Sequence, residues 1–162
     1  ARLLGLTSNV DLVRKLSKLW MPIGQRVVII GGELVGLELA EFLQERGRQV
    51  AVVDDVAQFG RGLSPTRRSV MLEHFPDLAI ALHSNAANIA IGDKTVTFKD
   101  AGGAGVALPA DTVIIAKGAE ANTGLYDALR KAGVDAHMVG DCQGVGYIFG
   151  AVRNAADVAA RI

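Results

Sequence analysis

The sequence predicts an α/β fold built on an open parallel sheet with one antiparallel insertion. Strands without polar alternation are separated by helices over residues 26–83, as expected for a sheet covered on both faces. Alternating patterns over residues 88–108 then predict an antiparallel meander, followed by another unbroken apolar strand at 112–116. The chain has 162 residues, half of them apolar, which is enough for one well-formed core.

The first part of the chain is predicted to form a helix and then a strand–helix–strand unit. Apolar residues at helical spacing predict a helix over 8–19, and Arg26–Ile30 predicts a buried strand. The next helix begins near Leu34 and stops at Gly47, and Gln49–Val53 is the second buried strand. Together the two strands and their helix have the size of a βαβ unit, about 30 residues.

The rest of the chain continues this order. Ser64 and Pro65 are typical of a helix start, as the cap and the first-turn residue. The further predicted elements are a helix to Phe75, strands over 78–82, 88–91, 94–98, 102–108 and 112–116, a helix over 125–132, a strand over 137–139 and a helix over 149–162. The order implies a parallel sheet with a meander inserted before its last strand.

Charge and composition argue against several classes of protein. With 17 basic and 17 acidic residues, the chain has no net charge to attract nucleic acid or an anionic membrane. No apolar run is long enough to cross a bilayer, and a secretory signal pattern is missing. Cys142 is the single cysteine, which excludes an internal disulfide and favours the cytoplasm. His74, His83 and His137 are dispersed, so we expect no metal site.

Glycines follow the first buried strand in a pattern that suits dinucleotide binding. In that pattern the first glycine makes the turn, the second lets a pyrophosphate approach, and the third lets helix and strand pack closely. Here Gly31 and Gly36 occupy the first and third positions, but the second holds Glu33, next to Gly32. A carboxylate facing the phosphates would repel them by about 1 kcal/mol. A turn shifted onto Gly32, or a Glu33 side chain pointing to solvent, would relieve this repulsion.

An acidic residue ends the second buried strand. Asp54 lies 23 residues beyond the first glycine, near the spacing of about 20 for an acid that binds the adenosine ribose hydroxyls. Such an acid favours NAD over NADP. Alternatively, Asp54 and Asp55 simply begin a solvated loop. Arg61, Arg67 and Arg68 either receive a phosphate or form a solvated basic helix face.

Three segments carry a resemblance to a known family. Arg26–Leu43 resembles the NAD(P)-binding domain of flavoprotein reductases, especially the group of 2,4-dienoyl-CoA reductase, enoate reductase and trimethylamine dehydrogenase. Thr112–Asn122 resembles the strand with Ala-Thr-Gly and Pro-Asn of these proteins, with Lys117 and Ala121 as departures. Val139–Cys142 is similar to the Gly-Asp motif whose acid binds the ribityl chain of FAD. The resemblance implies a three-layer Rossmann-type FAD/NAD(P)-binding fold.

The resemblance also implies cofactors and site residues. The cofactors are a nicotinamide dinucleotide, with NAD slightly favoured over NADP, and FAD in the parent protein. The implied cofactor-binding residues are Gly31, Gly32, Glu33, Leu34, Val35, Gly36, Glu38, Asp54, Lys117, Gly118 and Asp141. Glu38 would lie near the nicotinamide or be an ordinary helix acid, Lys117 would meet a phosphate, and Asp141 would bind the flavin or cap the last helix. No residue is assigned a catalytic role.

The implied organisation is that of one piece of a larger protein. Residues 1–24 would come from a preceding flavin domain, 25–136 would bind NAD(P), and 137–162 would return to the flavin domain as a strand and closing helix. We expect the parent to be an NAD(P)H-dependent flavoprotein oxidoreductase in which this module presents the nicotinamide to FAD. The alternatives are a noncatalytic Rossmann module with a decayed nucleotide site and an S-adenosylmethionine-dependent methyltransferase. The meander and the Gly-Asp motif argue against the methyltransferase.

Overall fold

The structure is a computed structural model that describes residues 10–162 in two compact units, one ending at Lys117 and the other beginning at Gly118. The first unit contains α1 (Val10–Leu19), β1 (Arg26–Ile30), α2 (Leu34–Gln44), β2 (Gln49–Val53), α3 (Pro65–His74), β3 (Ala81–His83), β4 (Ala87–Gly92), β5 (Thr95–Lys99), β6 (Gly105–Pro109) and β7 (Thr112–Ile115). The second contains α4 (Gly124–Lys131), a single 3-10 turn (Gly140–Cys142) and α5 (Tyr147–Ala159).

Two sheets form in the first unit. The parallel sheet has the strand order β3-β2-β1-β7, so the glycine turn after β1 emerges from the middle of the sheet. The antiparallel sheet has the order β4-β5-β6 and joins β3 to β7 in the chain. The predicted α/β class, with a parallel sheet and an inserted meander, is confirmed.

The parallel sheet is covered on both faces, which makes three layers. Val27 and Ile29 of β1 are buried in the cluster formed with α2 and α3. Val28, between them, is buried against Val96 and Phe98 of the meander. Each such side chain contributes about 1.5–3 kcal/mol by leaving water. Because both faces are dry, the strand has no polar alternation, as the sequence pattern indicated.

The ends of α2 and α3 follow the chemistry of their sequences. Gly47 follows α2 with a φ of +74°, and its N–H donates to the carbonyl of Gln44, which stops the helix. Ser64 caps α3 by accepting a hydrogen bond from the Arg67 N–H at 3.4 Å, and Pro65 occupies the first turn. The strand β2 therefore starts at Gln49, as the sequence predicts. The loop after β2 ends at Ser64, which is also the predicted position.

Several predicted elements differ from the structure, and one of them is β6, which begins at Gly105 and not at residue 102. The third strand begins at Ala81, not Leu78, because Leu78 packs in a turn after α3 and Ala79 adopts a φ of +53°. The strand predicted over 137–139 is wrong: the unit from Gly118 onward contains no strand to pair with it. The closing helix begins at Tyr147, two residues early, and ends at Ala159. The predicted start of α1 at residues 8 and 9 lies outside the described residues.

The division into units falls within the region 25–136. The first unit ends at Lys117, so α4 belongs to the second unit, and the predicted domain boundaries stay a prediction. The assignment of the two parts to a nicotinamide domain and a flavin domain stays a prediction. None of the helices within residues 10–162 has the length and apolar character needed to cross a membrane.

An ion pair fixes β1 to β7 at the amino edge of the sheet. Arg26 Nη2 lies 2.6 Å from Asp111 Oδ1, and the Arg26 backbone N–H donates to Asp111 Oδ2 at 2.9 Å. These hydrogen bonds hold the pKa of the Asp111 carboxyl well below its usual range. The site described next lies at the opposite, carboxyl edge.

Candidate functional site

The turn after β1 requires glycine at its first position. Gly31 has a φ of +123°, and a Cβ there would collide with the backbone carbonyl of Ala116 at the end of β7. Its N–H donates to the Val53 carbonyl at 3.0 Å. The carboxyl ends of β1, β2 and β7 therefore meet around a residue without a side chain, as the first glycine of the fingerprint predicts.

The other two glycines permit close packing. A Cβ on Gly36 would collide with the Gly31 carbonyl, so the helix α2 approaches the turn through this residue. A Cβ on Gly32 would collide with the Phe59 ring, which is buried over it. The Gly60 N–H also donates to the Gly32 carbonyl at 2.7 Å. One face of the turn is therefore covered by the loop after β2.

Glu33 directs its carboxylate to that same loop. Oε2 accepts a hydrogen bond from the Gly62 N–H at 2.9 Å, and Oε1 lies 3.2 Å from Arg61 Nε. The side chain does not cap α2, although Glu33 precedes its first residue. The carboxylate is therefore held by this loop although the side chain is 28% exposed, and its charge is partly balanced by Arg61.

The first turn of α2 has donors available for a ligand. The N–H groups of Gly31 and Gly32 are used within the protein, by Val53 and Asp54. In the described structure, those of Leu34 and Val35 make no hydrogen bond with other residues. Unpaired N–H groups at a helix start carry partial positive charge and suit an anion such as a pyrophosphate.

Asp54 lies buried at the end of β2, with only 1% of its surface exposed. Its Oδ2 accepts from the Gly32 N–H at 2.5 Å, and its Oδ1 accepts from the Asp55 N–H at 2.8 Å and from Lys117 Nζ at 2.6 Å. Burial alone would raise the pKa of this carboxyl, but the hydrogen bonds outweigh it and hold the pKa below its usual value. Asp54 is therefore ionised and internally bonded at neutral pH.

Lys117 bridges two carboxylates at this edge. Its Nζ lies 2.6 Å from Asp54 Oδ1 and 2.7 Å from Asp55 Oδ1. Desolvation lowers the pKa of the ammonium, but its hydrogen bonds to the two carboxylates prevail and raise the pKa above its usual value. Asp55 is 64% exposed, and so presents the carboxylate that solvent reaches.

A cleft of about 640 Å³ opens beside this cluster. It is lined by Ile30, Asp55, Asn85, Ala86, Ala87, Asn88, Ile89, Ile91 and Lys117. Asn85 and Asn88 both adopt a φ near +50°, where asparagine is among the most frequent residues with a side chain. This wall of the cleft was not predicted from the sequence, although the asparagines that follow β3 are a signal of it.

The three arginines considered as phosphate ligands all have partners inside the protein. Arg61 pairs with Glu33, and Arg67 Nη2 lies 3.3 Å from Glu41 Oε2. Arg68 Nε donates to the Phe59 carbonyl at 2.6 Å, which holds the loop over the glycine turn. These contacts favour a structural role for the three arginines over the binding of a phosphate.

The structure brings seven predicted residues together in the first unit: Gly31, Gly32, Glu33, Leu34, Gly36, Asp54 and Lys117. Val35 and Glu38 are exposed on α2. Gly118, with a φ of +96°, and Asp141 belong to the second unit.

Asp141 supports the start of the last helix. Its Oδ1 accepts hydrogen bonds from the N–H groups of Gly146 and Tyr147, at 3.0 and 3.1 Å. Tyr147 begins α5 with a φ of +55°, a conformation that a residue with a side chain rarely adopts. The capping role weighed for Asp141 is therefore present, and its flavin role stays a prediction.

The chain is similar in sequence to a reductase and to an NADH oxidase. It is 41% identical over 122 residues to a bilirubin reductase of Mediterraneibacter gnavus, covering 75% of this chain and 19% of that protein. It is 30% identical over 139 residues to an NADH oxidase of Thermoanaerobacter brockii, covering 85% and 21%. The chain thus spans about a fifth of the length of these relatives.

A solved structure shares the fold. The complex of 2-naphthoyl-CoA reductase with 2-naphthoyl-CoA superposes with a TM-score of 0.77 and 23% identity, covering 98% of this chain and 24% of that one. At this identity the likeness concerns the fold, and it confirms the predicted Rossmann-type architecture. The model of the family described as "Pyridine nucleotide-disulphide oxidoreductase" matches residues 3–148. The chain therefore belongs to the pyridine nucleotide-disulphide oxidoreductase family.

Proposed function

We propose that this chain is the nicotinamide-dinucleotide-binding module of a larger flavin-dependent oxidoreductase, with NADH slightly favoured over NADPH. The observation that carries the proposal is the Gly31–Gly32 turn, held by the buried Asp54 beside the free first turn of α2. Ligands of open parallel sheets bind outside the carboxyl ends of the strands, which is where this turn lies. The family assignment also favours a dinucleotide over the methyltransferase alternative.

The residues present fit the coenzyme's pyrophosphate. Gly31 lets β7 approach the turn, and the N–H groups of Leu34 and Val35 are available as donors. Glu33 turns its carboxylate to Arg61 and Gly62, which lessens the repulsion of an anion. The adenosine end would extend toward the cleft at Asp55 and Lys117.

The chemistry of this module is positioning. A bound nicotinamide dinucleotide supplies a hydride, which the flavin of a neighbouring domain accepts. The residues of this chain hold the phosphates, place the ribose and keep the turn rigid through Asp54. No described residue is placed as a general acid or base for the transfer, so we assign none a catalytic role.

The second unit is proposed to complete a flavin site. Its Asp141 stands in the Gly-Asp motif, and its carboxylate presents Oδ1 to the first N–H groups of α5. The relatives are about five times longer than the matched segment, which leaves room for a flavin domain in the parent protein. The cytoplasmic location expected from the single cysteine also stays a prediction.

A titration of the purified chain with NADH and with NADPH tests the proposal. Calorimetry gives the two dissociation constants, and amide chemical shifts report which residues move. We expect saturable binding with shifts at Gly32, Leu34 and Asp55. No binding of either coenzyme at millimolar concentration would contradict the proposal and favour a noncatalytic module with a decayed site. Reductase activity of this chain without a flavin would contradict the positioning role.

A further inference from the structure

Lys117 stands where the glycine turn, two carboxylates and the cleft meet. Its Nζ is bonded to the same Asp54 carboxylate that accepts from the Gly32 N–H. Lys117 also contacts Asp55, and the side chains of Lys117 and Asp55 both line the cleft. Lys117 is 40% exposed, so its ammonium can act on a ligand without leaving its partners.

The two coenzymes differ at one place. NADPH carries a phosphate on the 2′-oxygen of its adenosine ribose, where NADH has a hydroxyl. A phosphate monoester adds about −1.5 to −2 charges at pH 7. An acid at the end of the second strand binds the ribose hydroxyls and opposes this phosphate. In this protein two acids occupy that strand end, Asp54 and Asp55, and one ammonium lies between them.

We propose that Lys117 is a specificity-determining residue, which lets the site accept NADPH alongside NADH by offsetting the charge of Asp54 and Asp55. The inference rests on the proposed function, since it concerns the adenosine end of the same site. With Lys117 the cluster carries one negative charge in excess, which favours NADH only slightly. Without it the cluster carries two negative charges, one on the exposed Asp55 and one on the buried Asp54, and both would repel the 2′-phosphate.

The nearby arginines do not supply this charge. Arg61, Arg67 and Arg68 are held by Glu33, Glu41 and the Phe59 carbonyl, respectively. Among the residues that line the cleft, Lys117 is the cationic one. Lys117 lies just beyond the end of β7, far along the chain from the two acids that follow β2.

The test is the ratio of the two dissociation constants, for NADPH and NADH, in Lys117→Met, Lys117→Arg and the unaltered chain. We expect K117M to raise this ratio about tenfold, or about 1.4 kcal/mol, which lies between the interaction of two unit charges about 4 Å apart in bulk water and near a protein surface. K117R keeps the charge and should stay within about twofold of the unaltered ratio. The ratio is informative because a general loosening of the site weakens both coenzymes alike.

Lys94→Met is the matched control. It removes the same charge, but Lys94 acts on Asp111 at the amino edge of the sheet. We expect its ratio to equal that of the unaltered chain. Raising the ionic strength should shrink the K117M effect, because salt screens partly exposed charges.

Asp55→Asn tests the same inference if K117M fails to fold, because it should change the ratio of dissociation constants in the opposite direction. Asp55 is largely exposed, so its removal spares the core, and we expect the ratio to fall in favour of NADPH. Ratios in K117M and D55N that both match the unaltered chain would overturn the inference and leave coenzyme binding intact. Failure of the unaltered chain to bind either coenzyme would overturn the proposed function, and this inference with it.

Discussion

The Asp54 carboxylate accepts a hydrogen bond from the Gly32 N–H at 2.5 Å, and so joins the end of β2 to the turn that follows β1. The bond is buried, and the same carboxylate also holds the Asp55 N–H and the Lys117 ammonium. An acid in this position therefore stabilises the shape of the turn, whether or not a coenzyme is present.

Replacing this acid should destabilise the protein strongly. Asp54→Ala leaves the Gly32 and Asp55 N–H groups without an acceptor, and each unsatisfied buried group costs about 1–3 kcal/mol. Urea unfolding should show the loss in the free energy of unfolding. Asp55→Asn is the control, because an exposed ion pair is worth only about 0–1 kcal/mol. Equal losses in the two variants would refute this role of Asp54.

The contribution of Asp54 should depend on pH. Its pKa is lowered in the folded protein, so its stabilisation is fully present above the unfolded value of about 3.9 and is lost as the pH falls through the folded value. The difference in the free energy of unfolding between the unaltered chain and D54A should stay constant above about pH 5 and shrink below about pH 4. Urea unfolding of both proteins from pH 7 to pH 3 measures this. A difference that does not change with pH would contradict the expectation.

Gly36 should not tolerate even one added methyl group. In Gly36→Ala the Cβ would collide with the Gly31 carbonyl, so α2 must move away from the turn. Overpacking of this kind costs about 1–3 kcal/mol, and the thermal midpoint should fall accordingly. In the control Gly105→Ala the new Cβ has open space, and its effect should be within about 0.5 kcal/mol. A G36A chain as stable as G105A would show that α2 does not need this close approach.

Removing the charge of Glu33 should strengthen coenzyme binding. Glu33→Gln keeps the shape of the side chain and ends its repulsion of the pyrophosphate, a gain of about 1 kcal/mol or roughly fivefold in affinity. Calorimetric titration with NADH gives the change. Glu41→Gln is a close control, since both glutamates pair with an arginine and are 28% and 29% exposed. The same gain in E41Q would mean that overall charge, not the position of Glu33, limits the affinity.

Local sequence patterns were sufficient for the layers of this fold but not for the contacts at its site. The apolar runs of β1 and β2 indicate that both faces of the sheet are covered, and the spacing of the glycines predicts the turn after β1. The pattern also places an acid at the end of β2. It does not say that Asp54 turns inward and Asp55 outward, because that depends on how the turn and β7 pack against the strand end.

The site contacts that the sequence does not predict are made between residues that lie far apart along the chain. In the sequence Lys117 is only a departure from a family pattern, because the two carboxylates that it contacts lie 63 and 62 residues away. The sequence shows that the Glu33 carboxylate could repel a phosphate. It does not show that the loop at Arg61 and Gly62 binds this carboxylate, because that contact is tertiary. The strand expected over 137–139 had the right residue types but no neighbouring strand in its unit.

The pairing of β1 with β7 has a consequence for the order of folding. It brings Arg26 to Asp111 across 85 residues, whereas the turn between β4 and β5 closes locally. Closing a long loop costs chain entropy before its contacts form, so we expect the hairpin and the β1–α2–β2 unit to precede β7. Lys117 lies two residues beyond the end of β7. A late folding intermediate would then hold the glycine turn with Asp54 and Asp55 uncompensated, and the arrival of the last strand would offset one of their two charges.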